Sequence, residues 1–462
     1  MRRSLGRRAP IGRLVRPDSL GPLRSSGRRE PPIRRKAPRL RQAIASLRQL
    51  RMGDGPRAVP FPNGKSGRRR SHAKAGNSSP RIAWTGHIMG TDTPLSSDTT
   101  LRPPADRLPL VRVEGSHGEM GLQLGRHRAA QVNAMIEMYR RMFAEARVEL
   151  GIDNWQEAIL HAHKYLPFAE ESTPLYVEEM RGIAEGAGAP FDDILVLNCM
   201  EAITSDALHL GCTSLAVGPE VTAGGSVLIG HNEDWIPEDI HNVFVVHARP
   251  EDEPAYLAIT YGGLLPNIGF NACGIAQCCD SVYPSDARVG VPRILVARGV
   301  LAARTLSDAI RAASNRNRDA GYNHLIAHES GEMYNVEVSA RRFEMLPSDD
   351  GTVAHANHYL HPSMQAIEKN SGDLINSRVR LNRARHLVAA RRGSLDQAAI
   401  QAILADHMNY PQSICNHIVE DDTPLDRQQT IASLVIDLSA RTMLVSWGTP
   451  CSNEFFAYRL EP

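Results

Sequence analysis

Cysteine is too sparse and too irregular here to build a disulfide scaffold: seven fall in 462 residues, at positions 199, 212, 273, 278, 279, 415 and 451. An odd set at that density suits a reducing compartment. No run approaches the ~20 consecutive apolar residues that cross a membrane. No apolar stretch of signal-peptide length follows Arg2-Arg3 or Arg7-Arg8, so a classical secretion signal is not expected. A cytoplasmic protein is therefore expected. Internal repeats, a glycine-rich phosphate loop and a Cys-x-x-Cys pair are also missing, so neither a solenoid nor a nucleotide or zinc-ribbon motif is legible.

Acidic residues are nearly absent from one end. Residues 1–80 hold 22 Lys and Arg against 3 Asp and Glu, a net of +19, whereas the remainder holds 31 against 48, a net of −17. The overall +2 therefore conceals two kinds of chain. Residues 1–108 are rich in Arg, Pro, Ser and Gly, with apolar residues too scattered to offset the entropy of ordering, and predict a disordered basic extension. Such a segment reads as a transit-like stretch, a tail that attracts nucleic acid, or sequence upstream of a start at Met89. Residues 109–462 are expected to form the folded part, and function is sought there.

Apolar spacing predicts a strand over 108–113 and helices over 119–149, 154–163, 173–187 and 191–204, so the segment before Cys212 is mostly helical. After Cys212 come short strand-like runs over 213–217, 226–231, 243–248, 256–260, 275–279, 325–328 and 334–338. Helices over 291–303, 306–313, 375–391 and 395–406 interrupt them, and strands over 431–438 and 442–447 close the chain. Runs of strands between runs of helices predict an α+β layered domain rather than alternating βαβ units.

Gly211-Cys212-Thr213-Ser214 stands where helical texture gives way to strand texture. A cysteine that attacks the carbonyl of the residue before it needs that carbonyl exposed and bent, which glycine allows at least steric cost. Hydrolysis of the resulting thioester would leave Cys212 as a new N-terminus whose amine, with a pKa of about 8, serves as base. Asn232 and Asp234 lie two apart, so on a strand they present an amide and a carboxylate to one side; a turn containing a buried Trp235 would look similar. Asn357, in His355-Ala356-Asn357-His358, offers an amide N–H to an oxyanion. Arg427, just before a strand, reads either as a cation that holds a substrate carboxylate or orients the aspartate, or as the partner of a surface ion pair with Glu420, Asp421, Asp422 or Asp426. A metal on His355, His358 and His361 is disfavoured by Pro362 and by the strand-like approach, and adjacent Cys278-Cys279 point to opposite faces, so no metal is expected.

Taken in order, several stretches resemble the peptidase C45 family, the acyl-coenzyme A:6-aminopenicillanic acid acyltransferase-like members of the N-terminal-nucleophile hydrolases. They are EGSHGEMGLQLG (114–125), RGIAEG (181–186), Gly211-Cys212-Thr213-Ser214, Asn232-x-Asp234-Trp235, Gly269 through Gly274 with Asn271, His355-x-Asn357-His358, Asn409-Tyr410-Pro411-x-Ser413-Ile414-Cys415 and Gly448-Thr449-Pro450. The resemblance implies a four-layer αββα sandwich over 109–462, cut between Gly211 and Cys212 into 109–211 and 212–462, which stay paired. It further implies Cys212 as nucleophile, Asp234 near its amine, Asn357 in the oxyanion hole and Arg427 lining the site, with Asn232, Trp235 and Asn271 on the substrate side. Glu233 departs from the pattern, standing where an aromatic is usual among penicillin-biosynthetic members; Cys278 and Asp280 occupy positions often held by Asn. The implied activity is hydrolysis or transfer of an acyl group from a small amide or thioester, without a resident cofactor and with acyl-CoA as a possible donor. Two rivals are a papain-like enzyme using a histidine such as His358 and no self-cleavage, and a nucleic-acid-binding protein acting through the basic tail, which the acidic folded part gives little help.

Overall fold

The computed structural model describes residues 107–204, 211–369, 374–423 and 425–461. The expected basic extension lies outside them, apart from its last two residues.

Helices fill the chain ahead of the thiol. Strand β1 (Leu110–Gly115) leads into α1 (His117–Glu145), α2 (Arg147–Leu150), α3 (Trp155–Ala162), α4 (Leu166–Ser172), α5 (Pro174–Ala187) and α6 (Phe191–Ile203). Their ends follow local chemistry. A capping box of Ser116 and Glu119 opens α1, Asn154 caps α3, and α5 starts on Pro174 and stops at Gly188 in the left-handed conformation.

Strands then dominate: β2 (Cys212–Val217), β3 (Leu228–Trp235), β4 (Val243–Pro250), β5 (Tyr256–Tyr261), β6 (Ile268–Asn271) and β7 (Ile275–Val282). Helices α7 (Arg293–Leu301) and α8 (Leu306–Ala313) precede β8 (Gly321–His328), β9 (Met333–Val338), β10 (Phe343–Pro347) and β11 (Thr352–His355). Next come α9 (Pro362–Gln365), α10 (Leu374–Ala390) and α11 (Gln397–Leu404), then β12 (Gln429–Asp437), β13 (Thr442–Trp447) and β14 (Phe455–Arg459).

The strands form two sheets, one ordered β1-β4-β5-β6-β7-β8-β9-β10 and the other β11-β2-β3-β12-β13-β14. Among the strands of the described residues, only the β1–β4 pair is parallel. The sheets face one another, β2 lying on β7 and β8 and β11 on β9; α10 and α11 cover the outside of the six-stranded sheet, and α1, α7 and α8 cover the eight-stranded one. This is the expected α+β, four-layer αββα sandwich. Strands covered on both faces carry continuous buried runs, as in Cys212–Val217 and Leu228–Trp235, whose residues are all buried. β3 extends four residues past the expected end, so Asn232 through Trp235 are strand rather than turn. Short β6, β10 and β14 and helix α4 carried no periodic signal strong enough to be foreseen.

Two of the quoted glycine motifs explain each other. α1 and α5 approach so closely that a Cβ on Gly125 would sit 2.3 Å from the Ile183 carbonyl oxygen, and one on Gly182 would sit 2.2 Å from that of Gly118. This contact seats α1, whose Tyr139 reaches the end of β3 through Trp235. Gly125→Ala and Gly182→Ala are each expected to lower the unfolding free energy by about 1–3 kcal/mol. Gly118→Ala, with open space at its Cβ, is expected to cost nothing in the same denaturant titration.

Candidate functional site

Cys212 opens β2, between β11 and β3, with Glu233 as its partner across the ladder; Thr213 faces Asn232 and Ser214 faces His231. Alternation along the strands then sorts the side chains onto two faces. Cys212, Ser214, His231 and Glu233 turn toward the eight-stranded sheet, whereas Thr213, Asn232 and Asp234 turn toward the α10–α11 layer.

On the inner face the Cys212 thiol lies 3.6 Å from Glu233 Oε2. Tyr261 donates its hydroxyl to Glu233 Oε1 at 3.0 Å, and His231 Nε2 is 2.9 Å from Glu233 Oε2. Behind them, His231 Nδ1 meets Ser214 Oγ at 2.9 Å, and Ser214 donates to Asp280 Oδ1 at 2.8 Å, joining the two sheets.

The peptide groups on either side of the thiol are pinned as well. Gly211 O accepts from the Asp234 N–H at 3.1 Å, and Gly211 N–H donates to Gln428 Oε1 at 2.7 Å. Cys212 N–H donates to Asn357 Oδ1 at 3.0 Å. Arg380, from α10, donates to the Cys212 carbonyl, to Thr213 Oγ1 at 2.8 Å and to Asn357 Oδ1 at 2.7 Å. A Cβ at position 211 would meet Gln428 Oε1 at 2.8 Å and Asp234 Oδ2 at 3.3 Å, so a larger residue here would displace these side chains.

Burial decides the charges. It pushes the Cys212 thiol well above its ordinary pKa, and the negative charges of Glu233, Asp280 and Asp234 push the same way, while the Asp234 N–H draws it back a little. A thiol so placed stays protonated and needs a base. Burial also raises the Asp234 carboxyl to about 7, against the pull of Arg380 and of the Thr430 hydroxyl that donates to its Oδ1 at 2.6 Å. Asp234 Oδ2 is enclosed and has no hydrogen-bond partner among the described residues.

Of the residues the sequence singles out, Gly211, Cys212, Asp234 and Asn357 come together. Asn357 is turned so that its oxygen, not its NH₂, faces Cys212; two donors, Cys212 N–H and Arg380, fix that orientation, and Nδ2 donates to the Ser281 carbonyl. Arg427 instead donates to the Glu420 carbonyl, and the cation that reaches Cys212 is Arg380. Asn232 donates to the carbonyls of Leu404 and Ile414, joining β3 to α11 and the loop beyond it. Trp235 donates to Tyr139 and Asp239, and Asn271 donates to the carbonyls of Leu301 and Ala303 at the end of α7, so both serve packing. His358, the histidine of the papain-like rival, bonds Ser377 Oγ, and burial pulls its pKa to about 3. Arg380 was missed because it sits in a helix with several arginines and nothing in RVRLNRAR marks one of them. Gln428 and Thr430 were in view beside Arg427 and overshadowed by its charge.

A family model described as acyl-coenzyme A:6-aminopenicillanic acid acyl-transferase matches residues 221–452. The chain is 27% identical over 284 residues to the 40 kDa form of acyl-coenzyme A:6-aminopenicillanic-acid-acyltransferase of Emericella nidulans, covering 60% of this chain and 76% of that protein. It is 22% identical over 395 residues to the β-alanyl-dopamine/carcinine hydrolase of Drosophila melanogaster, covering 78% and 97%. Among solved structures, the penicillin V acylase of Agrobacterium tumefaciens aligns with a TM-score of 0.38 at 14% identity, covering 54% of this chain and 86% of that one. No helix among the described residues is long and apolar enough to cross a membrane.

The raised Asp234 carboxyl gives a pH signature. The folded protein holds this proton more tightly than the unfolded chain does, so the group costs stability as pH rises from about 4 to about 7 and adds no further slope above. In an uncut Cys212→Ala background, Asp234→Asn is expected to gain on its parent across that window, by at most about 4 kcal/mol. Parallel stability–pH curves would contradict this.

Proposed function

The chain belongs to the acyl-coenzyme A:6-aminopenicillanic acid acyltransferase family, enzymes acting as acyltransferases and amide hydrolases, and on that premise we propose that it matures by cutting its own Gly211–Cys212 bond. The observation that carries this reading is the arrangement around that bond: thiol beside Glu233, carbonyl oxygen on the Asp234 N–H, and amide nitrogen on Asn357.

In the uncut chain the α-amine does not yet exist, so the first proton needs another acceptor. Glu233 takes it from the thiol, held in place by His231 and Tyr261. Sulfur attacks the Gly211 carbonyl carbon, and the oxyanion is held by the Asp234 N–H. The Gly211–Cys212 C–N bond breaks, the nitrogen takes up a proton, and Gly211 is left as a thioester on Cys212. Water then releases a Gly211 carboxylate and regenerates the thiol. The two pieces stay joined because β1 remains paired with β4 and α1 remains packed on the sheet.

In turnover the freed amine of Cys212 accepts the thiol proton, and the thiolate attacks a small amide or thioester. Asn357 serves twice: Oδ1 orients the amine, and Nδ2, resting on the Ser281 carbonyl, is the donor available to the substrate oxyanion. Arg380 fixes Asn357 and the Cys212 carbonyl, and it rather than Arg427 is the cation at the site. A cleft of about 380 Å³ between Met138, Met142, Ile236 and Leu425 begins where β3 ends and offers apolar room for an acyl group. We assign water as the usual acceptor because it needs no dedicated site; an amine bound in a dry pocket would make the same acyl-enzyme a transferase. All seven cysteines are free thiols, which fits a reducing, cytoplasmic setting.

Denaturing intact-mass analysis is expected to show two pieces, the second of 251 residues starting at Cys212, and a single chain for Cys212→Ala. A fully active, uncut parent would overturn the reading. Glu233→Gln is expected to slow the appearance of the fragments by about 10²–10⁴-fold while the chain stays folded. Unchanged cleavage would remove Glu233 from the mechanism.

A further inference from the structure

Away from the thiol, four side chains from two separate loops converge. His407, Cys415 and His417 belong to the loop between α11 and β12, and Cys451 to the turn between β13 and β14. One donor atom from each lies within 4.8 Å of all the others. His407 Nε2 is 3.1 Å from His417 Nε2, and the sulfurs of Cys415 and Cys451 are 3.4 and 3.5 Å from that same nitrogen. Ligands of a tetrahedral zinc at about 2.0–2.1 Å for nitrogen and about 2.3 Å for sulfur stand about 3.3 Å apart when both are nitrogen and about 3.6 Å apart when one is sulfur. The spacings are those of an assembled ligand set.

We propose that His407, Cys415, His417 and Cys451 bind one zinc ion in a closed Cys₂His₂ site. Two soft sulfurs and two imidazoles at tetrahedral spacing select zinc over the hard, oxygen-seeking divalent cations. Tyr410 packs against both imidazoles, its ring 5.7 Å from that of His407 and 5.1 Å from that of His417, which holds their directions. On binding, the two thiols release their protons to solvent and the ion closes the set.

The site ties an otherwise irregular loop to the C-terminal hairpin, and that loop supports the catalytic strands. Ile414 O receives Asn232 of β3, and Asn416 exchanges two hydrogen bonds with Thr430, which in turn bonds Asp234. A structural ion here would stiffen the wall behind Asp234 without touching substrate. The sequence expectation of no metal weighed the histidines at 355, 358 and 361; those bond Glu337, Ser377 and Ser363 instead.

The full chain, purified from zinc-containing medium without chelator, is expected to carry about one zinc by elemental analysis. Cys212→Ala is expected to keep it, since the other grouping of possible ligands, Cys212 with His231 and Glu233, is not the holder. The double variant His407→Ala/Cys451→Ser, which changes two exposed residues, is expected to lose it. Cobalt(II) in place of zinc is expected to give the intense visible bands of a tetrahedral thiolate site in the parent and not in the variant. Chelation is expected to lower the thermal midpoint of uncut Cys212→Ala protein, so the result stands apart from self-cleavage. A folded parent that neither contains nor takes up zinc would overturn the proposal. So would zinc that leaves with Cys212→Ala, or a Cys415–Cys451 disulfide in freshly isolated protein.

Discussion

The register of β2 against β3 sets everything around the thiol. With Cys212 opposite Glu233, the sulfur and this carboxylate share the interior face, while Thr213 and Asp234 face the helical layer. The Gly211–Cys212 peptide sits at the strand's start, its carbonyl oxygen on the Asp234 N–H of β3 and its amide N–H on Asn357, which Arg380 holds. A slip of one residue would carry the sulfur to the opposite face and leave Glu233 without its neighbour. Strands buried on both sides resist such a slip, because every side chain would change environment at once. The four-layer sandwich is thus more than a support. Its doubly covered sheet fixes the positions of the groups around the Gly211–Cys212 bond, on which the proposed self-cleavage rests.

Much of this was legible before the fold was in view. Gly211-Cys212 marks a texture change that the structure shows as the start of a central strand, and the Asn232-x-Asp234 pair lies on a strand face as its spacing allowed. The capped helices of the first half were legible because their signals are local: Ser116 with Glu119, Asn154, and Pro174 followed by Gly188. Long-range pairings were not. Arg380 meets Cys212 across 168 positions and Gln428 meets Gly211 across 217, and nothing in the local sequence ranks one arginine or glutamine above its neighbours. The same holds for His407, Cys415, His417 and Cys451, whose scattered spacing resembles no metal motif until two loops meet. Asn271 misled for the opposite reason: it sits in a quoted stretch, yet its four hydrogen bonds close a turn and the end of a helix.

Glu233 shows how a departure from a family's pattern becomes informative once placed. An aromatic at this position would fill the same interior space and offer the thiol no proton acceptor. A carboxylate there is costly to bury and is accordingly met by His231 and Tyr261, with Ser214 and Asp280 extending the polar chain across the gap between the sheets. Such investment in polar contacts beside a buried thiol is hard to account for by packing, since an apolar core at that place would be simpler to satisfy.

Asp234 carries the argument one step further. Its Oδ1 is satisfied by Thr430, yet Oδ2 is enclosed, lacks a partner among the described residues, and lies against Gly211. An unsatisfied buried carboxylate oxygen is a standing cost, reflected in a carboxyl that holds its proton up to about pH 7. The Cys212 nitrogen does not relieve it in the uncut chain, because it is an amide already donating to Asn357. Cutting the bond replaces that amide with an amine carrying additional protons, and separates the Gly211 end that now occupies the space beside Oδ2. If the proposed cut is made, the new amine would stand beside Asp234 Oδ2 and could donate to it, which would orient the N-terminus as a base requires.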